Sequence, residues 1–390
     1  MKKSYFIYLL SFLFLLWANE SLSWKIMDTE GSFGDYDCLQ ISYLSDEEYN
    51  EKLERLQRKI SFNPASREYL GLARLYKCRG DMKKAEENYI WATKYNREED
   101  PEIDFNLAVF YERVYHQYED ANKIHLKIVE KNPYYLKSFN SLGNNYLALG
   151  KYEKSIECFE YYLKFDKYWF GAYTGVVLNY FGLGEDEKAL KYLEKLKDID
   201  PGKERLFEQY FWYFLREEKL DDAYKQIQKL LSLKEYYSIY AVFNLEFIQS
   251  YYYIKVGDIK EAAKHLENYL KLVTDSHYSF APVEEEKIER TRIHLNFLKN
   301  KTQIELKELL EKAGFSFKKD DYKEAIAYYY LAYILEPKNK EIIKNLGMCY
   351  LEINELRSAR FYLERYLKMD PTGEYAEEVQ QWIDVIKEMD

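Results

Sequence analysis

Between Leu136 and Trp169 the apolar positions fall at intervals of three and four: Phe139, Leu142 and Tyr146, then, past Gly150, Tyr152, Ile156, Phe159, Tyr162 and Leu163. That is the spacing of one face of a helix, twice over. The glycine between the runs suits a turn that needs φ > 0. The pattern predicts two amphipathic helices joined by a short turn. Three other stretches repeat it. Ser66–Glu99 carries Leu72, Ala73, Tyr76, Gly80, Ala85, Tyr89 and Ala92, and Phe170–Lys203 carries Tyr173, Val176, Tyr180, Gly184, Ala189 and Leu193. Lys340–Gly373 carries Leu346, Gly347, Tyr350, Ala359 and Leu363. Glu204–Tyr237 and Leu306–Asn339 fit more loosely, and Pro101–Tyr135 fits with one extra residue between Tyr111 and Tyr118.

The helix stops keep a fixed beat. Pro133 to Pro201 is 68 residues, Pro201 to Pro337 is 136, Pro337 to Pro371 is 34, and Pro64 to Pro133 is 69. Proline lacks an N–H and clashes with the preceding turn, so it ends helices. A small residue recurs on the same ruler at Ala85, Ala121, Ser155, Ala189, Ala223, Ala262, Ala325 and Ala359. Small side chains at a fixed point let a second helix approach closely, where a larger one would overpack the contact. The beat breaks twice. Ala223 to Ala262 is 39 residues, which predicts a lengthened first helix near Ser238–Tyr252. Ala262 to Ala325 is 63, leaving 277–302 as a degraded repeat or a lone linking helix, followed by a capping-box start at Thr302 and Glu305.

The unit of 34 residues, aromatic-x2-Leu-Gly-x2-Tyr, then small-x3-Phe, then usually Pro, resembles the tetratricopeptide repeat. The likeness extends over most of the chain. It implies an all-α fold, a right-handed superhelical solenoid in which each repeat touches only its neighbours. The expected order is an amino-terminal address over 1–23, a segment with a capping helix over 24–65, a repeat array over 66–276, the stretch 277–302, two repeats over 303–373 and a capping helix over 374–390. Ser45 with Glu48 predicts the start of the first capping helix, and Tyr375, Val379, Trp382 and Ile386 form one stripe on the last.

The family likeness also implies that first helices line a concave groove for a peptide or a partner protein. Outward positions of those helices put Arg74, Lys137, Asn140, Asn144, Phe181, Arg205, Gln209, Trp212, Arg216 and Tyr251 on that groove. It would run from basic and polar to aromatic, with Trp212 and Phe181 either as anchors or as packing residues. Some family members hold a carboxylate end with Lys, Asn and Arg side chains across three repeats. Asn144 and Arg205 match that clamp, while Asn140, Gly175 and Gln209 depart from it, so no clamp is expected.

Composition narrows the function. Lys2 and Lys3 precede the apolar run Tyr5–Ala18, and small Ser21 and Ser23 follow. This is the layout of a secretory signal peptide, with an uncleaved anchor as the alternative. The expectation is a bacterial protein exported to the periplasm or cell envelope, touching membrane only through that segment if it is retained. Export permits disulfides. Cys78, Cys158 and Cys349 lie in non-adjacent repeats, so Cys38–Cys78 is the one bridge that geometry allows. The 42 tyrosines fall largely at packing positions. The five histidines show no metal-ligand spacing, and there is no Walker loop, no G-x-G-x-x-G after a strand and no G-x-S-x-G elbow, so neither cofactor, metal nor enzyme is expected. A net charge of −10 without a long basic run argues against nucleic acid. The reading is a non-catalytic exported adaptor for a protein partner, or else a membrane-anchored assembly subunit of an envelope complex.

Overall fold

The computed structural model describes Cys38, Ile41 and residues 44–233, 239–275, 282–299 and 301–388. The expected signal segment, 1–23, lies outside them. All regular structure among the described residues is helical. The chain forms two compact units, one ending at Tyr135 and one running from Leu136 to Asp390.

The first unit begins with α1 (Asp46–Phe62). Ser45 caps it as the sequence predicts: the Glu48 N–H donates to Ser45 Oγ at 3.2 Å, and the Ser45 N–H donates to Glu48 Oε2 at 2.8 Å. α2 (Ser66–Cys78) and α3 (Met82–Lys94) form a hairpin, and α4 (Pro101–Phe110) and α5 (Tyr118–Lys131) form the next. The extra residue of the second hairpin is absorbed as a π turn over Tyr111–Tyr115, the usual form of a one-residue insertion in a helix. Leu70, Ala73, Ala85, Tyr89, Ile103, Leu107 and Phe110 make the core. A Cys38–Cys78 disulfide, with Cα atoms 4.9 Å apart, ties the segment before α1 to the end of α2. Closing a loop of 40 residues restricts the unfolded chain, an effect of roughly 3–4 kcal/mol in the chain-entropy picture.

In the second unit, α6 (Leu136–Ala148) pairs with α7 (Tyr152–Leu163), α8 (Phe170–Gly182) with α9 (Asp186–Ile199), and α10 (Glu204–Arg216) with α11 (Leu220–Ser232). Then come α12 (Ile239–Val256) with α13 (Ile259–Asp275), the single α14 (Pro282–Leu298), α15 (Leu306–Phe317) with α16 (Tyr322–Leu335), α17 (Lys340–Glu352) with α18 (Leu356–Met369), and α19 (Ala376–Glu388). The 39-residue step appears as an 18-residue α12 where neighbouring first helices have 13. The capping box at Thr302 does not form. α15 starts at Leu306 behind Glu305, which makes no side-chain cap bond.

The repeat beat has a direct physical meaning. All eight small residues, Ala85, Ala121, Ser155, Ala189, Ala223, Ala262, Ala325 and Ala359, have no exposed surface. Five residues before each, the backbone is left-handed: Gly80, His116, Gly150, Gly184, Glu218, Gly257, Asp320 and Asn354 all have positive φ. The turn is therefore conserved in geometry where glycine is not. Packing between hairpins is equally tight. The Phe159 ring of α7 lies between Gly143 of α6 and Gly175 of α8, and a Cβ on Gly143 would sit 2.7 Å from it. Ser155 Oγ donates to the Gly143 carbonyl at 2.6 Å, and Asn179 Nδ2 donates to Ser155 Oγ at 2.8 Å.

One expectation fails. Repeats do not touch only their neighbours. α18 packs on α6 and α8, and α16 packs on α12 and α14. Tyr152 Oη donates to the Arg357 carbonyl at 2.6 Å, and Arg360 Nη1 donates to the Gly150 carbonyl at 2.7 Å. Arg365 Nη2 reaches Asp186 Oδ1 at 2.7 Å, and Lys255 Nζ reaches the Leu335 carbonyl at 2.6 Å. The later hairpins thus fold back over the turn ends of the earlier ones, and one continuous apolar core runs from Val177 to Ile386. The final stripe splits by depth: Val379, Ile383 and Ile386 are fully buried, and Tyr375 and Trp382 are half-buried.

Two glycines should respond oppositely to alanine. Gly80 has φ +82° and open space around its Cβ position, so Gly80→Ala is expected to cost about 1–2 kcal/mol of backbone strain. Gly314 lies inside α15 with open space around it, so Gly314→Ala should stabilise by about 1 kcal/mol. Urea unfolding of the two variants measures both signs.

Candidate functional site

First helices of successive hairpins touch along the array: α2 with α4, α6 with α8, and α10 with α12. Their shared face carries most of the residues expected on a groove. In the first unit, Arg74 Nη2 donates to Asn106 Oδ1 of α4 at 3.2 Å. Nearby, Tyr135 Oη donates to Glu102 Oε2 at 2.6 Å. In the second unit, Lys137 and Asn144 are exposed, and Asn140, Arg205, Gln209 and Trp212 are half-buried. Burial pushes the neighbouring Glu208 carboxyl up to about 7, with Arg205 and Lys287 pulling the other way. Near neutral pH that carboxylate therefore compensates the two cations only in part.

Three of the expected groove residues are interior instead. Phe181 is 4% exposed and Tyr251 is fully buried. The Arg216 guanidinium lies 4.7 Å over the Phe181 ring, with only 13% of its side chain exposed. The cause is the return of the later helices. The Tyr251 ring meets Tyr330 of α16 at 5.4 Å, and its hydroxyl is 2.9 Å from His294 Nδ1 of α14. His294 Nε2 lies 2.8 Å from the Ala327 carbonyl, so that nitrogen carries the proton and Nδ1 accepts from Tyr251. Burial, with the Arg290 charge beside it, pulls the His294 pKa down to about 3. Trp212 packs against Phe247 and Tyr251 at centroid distances of 6.3 and 6.0 Å, which places its ring at the edge of this interior.

An open cleft of about 240 Å³ lies elsewhere, at the carboxy-terminal end of the second unit. It is lined by Phe317 of α15, Tyr329 of α16, Lys344, Asn345 and Met348 of α17, Tyr375, and Glu378 and Trp382 of α19. Lys344 is nearly buried. Its ammonium sits 3.5 Å from the centre of the Tyr375 ring and 2.9 Å from Glu341 Oε2. Asn345 Nδ2 donates to Tyr329 Oη at 3.2 Å, which fixes the amide at the cleft wall. The walls are rings, a thioether and one amide, with a cation and a carboxylate at the sides. Such a site can hold a side chain by shape and orient the backbone beside it.

Sequence reasoning missed this cleft, although a signal was present. Lys344 and Met348 stand 204 residues, six repeat lengths, after Asn140 and Asn144. They occupy the same outward positions in the last repeat, and the Tyr375–Trp382 stripe serves both as a cap and as a cleft wall. No catalytic constellation emerges among the described residues. His125 faces Glu112 at 3.4 Å, and His265 faces Glu246 at 2.7 Å and Glu261 at 3.9 Å. Among the described residues no three His, Cys, Asp or Glu side chains gather as a metal would require. Burial pushes the free Cys349 thiol up to about 12, far from a reactive thiolate.

Comparison with known proteins agrees with the hairpin geometry. A tetratricopeptide-repeat family model matches residues 316–383, and a second matches 136–167 and 171–203, the α6–α7 and α8–α9 hairpins. Among solved structures the chain is similar to a tetratricopeptide repeat protein from Parabacteroides merdae, at 14% identity, covering 73% of this chain and 98% of that one, with a TM-score of 0.48. It is also similar to a MamA protein, at 20% identity, 44% and 94% coverage and a TM-score of 0.39. A MamA from Desulfovibrio magneticus gives 18% identity, 44% and 94% coverage and a TM-score of 0.38.

The buried imidazole sets a pH dependence. The folded pKa of His294 lies below its unfolded value of 6.5, so its contribution to stability is complete above pH 6.5 and is lost as pH falls from there toward 3. Urea unfolding at pH 7 and pH 5 should differ by about 2 kcal/mol from this group, and His294→Gln should remove that part of the difference.

Proposed function

The chain carries tetratricopeptide repeats, and from that premise we propose that it is a non-catalytic scaffold that holds a partner protein through an extended peptide segment. The reading rests above all on the carboxy-terminal cleft, where Lys344, Asn345 and Met348 of a first helix meet Tyr375 and Trp382 of the terminal helix. One large apolar side chain of the partner would anchor there. The exposed positions Lys137 and Asn144, with half-buried Asn140, Arg205 and Gln209, offer a further polar groove face. Interface energy concentrates in a few aromatic and arginine anchors, and Trp382 is the side chain best placed to be one.

We place the protein outside the cytoplasm. The charged and apolar layout of residues 1–23 supports export, and the Cys38–Cys78 bridge suits an oxidising compartment. No helix among the described residues is long and apolar enough to cross a membrane. Fractionation separates the two forms of the proposal. A soluble chain beginning near Trp24 supports the exported adaptor, and a full-length membrane-bound chain supports the anchored assembly subunit.

Peptide display on the purified chain tests the binding role. Selected peptides should share one aromatic or long aliphatic position. Trp382→Ala should weaken them about thirtyfold, roughly 2 kcal/mol, while helicity and melting stay near those of the parent. Peptides that bind Trp382→Ala and Asn144→Ala as well as the parent would refute the proposed face.

A further inference from the structure

Where α18 returns across the second unit, two arginines share one carboxylate. Arg365 Nη2 of α18 lies 2.7 Å from Asp186 Oδ1, at the start of α9. Arg216 Nη2, at the end of α10, lies 3.9 Å from the same oxygen. That is close enough for an ion pair and too far for a hydrogen bond. The arginine side chains are 13% and 14% exposed. Tyr333 of α16, 5% exposed, lies near enough to both for its hydroxyl, if ionised, to act on them. The other acid acting on Arg216 is Glu217, and Lys338 already holds it at 3.3 Å. The junction thus encloses two guanidiniums against one committed carboxylate.

Its hydrogen bonding is incomplete in the same direction. Arg216 Nε, Arg216 Nη2, Arg365 Nε and Tyr333 Oη are buried and have no hydrogen-bond partner. Three of these can only donate, and the fourth is a hydroxyl free to donate. Arginine does not shed its proton, so an excess positive charge here is not relieved by ionisation. Burial, with Arg365 beside it, weakens proton retention by Arg216, while at Arg365 the charge and hydrogen bond of Asp186 help to outweigh burial, so the under-compensated cation is Arg216. Buried donors left unmatched are rare in native proteins and call for an acceptor. Unpartnered N–H groups on two guanidiniums gathered at one carboxylate match an anion with two or more oxygens better than a halide.

We propose that Arg216, Arg365 and Tyr333 form a binding site for a small dissolved oxyanion, phosphate-like or carboxylate-like. The side chains keep only a sliver of surface, which leaves no room for a peptide chain. The site draws on α9, α10, α16 and α18, so its ligand would fasten the returning hairpins to the earlier ones. Binding to the folded form alone then raises the melting temperature by mass action. This site is separate from the carboxy-terminal cleft, and its test is independent of any partner.

The experiment is thermal melting of the whole chain in rising inorganic phosphate or succinate, against chloride at equal ionic strength. One of the two oxyanions should raise the melting temperature saturably above chloride, and which one does so identifies the ligand class. Tyr333→Phe should weaken the apparent affinity about tenfold, the loss of one hydrogen bond to a charged group, and Arg365→Gln should abolish the response. Should Arg365→Gln fail to fold, Tyr333→Phe decides. No saturable gain over chloride with either oxyanion, or a Tyr333→Phe response equal to the parent, overturns the proposal.

Discussion

Arg360 is fully buried, and its guanidinium is held by groups more than two hundred residues earlier. Nη1 donates to the Gly150 carbonyl at 2.7 Å and Nη2 to Glu153 at 2.5 Å, and Glu364 of its own helix takes Nε and Nη2 at 3.2 and 3.1 Å. A buried guanidinium tolerates that position only when paired and hydrogen-bonded. Its bonds therefore specify one register for the return of α18 onto α6, α7 and α8. Tyr152, stacked beneath the same guanidinium at 4.9 Å, adds a hydrogen bond to the Arg357 carbonyl. The depth of Arg216 and the enclosure of the Asp186 junction follow from that return, and Tyr251 is covered by the companion packing of α14 and α16 on α12.

Local structure was legible because each hairpin states its own rule. The small residue must be small since a second helix touches it, and all eight such positions have no exposed surface. The turn must be left-handed. Glu218, Asp320, Asn354 and His116 show that the backbone geometry persists where the glycine signal is gone. The irregularities were legible too, as the π turn at Tyr111–Tyr115 and the long α12.

The return was not legible, for a physical reason. Every helix satisfies its own period before any distant contact forms, so periodicity carries no information about which hairpins meet again. The residues that make the contact are charged and sit where solvated faces are usual. Only position offers a hint. The residue after the small one is Glu86, Asn122, Ile156, Leu190, Tyr224, Ala263 and Ile326 in the other repeats, and arginine only at 360. The same gap explains the site. Lys137 and Asn144 were placed on an open face and are exposed, whereas Phe181 and Tyr251 were placed there and are core. The cleft at Trp382 is hidden in the sequence because a stripe that caps a core and one that also walls a cleft have the same helical spacing.

For function, the consequence is a division of labour inside the second unit. The aromatic interior, where Tyr251, His294, Tyr330 and Arg290 meet, serves cohesion. The proposed recognition surfaces lie outside that interior, at the first-helix face near Lys137 and the cleft near Trp382. The central claim is the return of α18. Its most direct test is the distance between spin labels at Glu187, beside Asp186, and Lys368, one turn beyond Arg365, both exposed. The account predicts a single short, narrow distance distribution. A long, broad one, as an open array without the return would give, contradicts it.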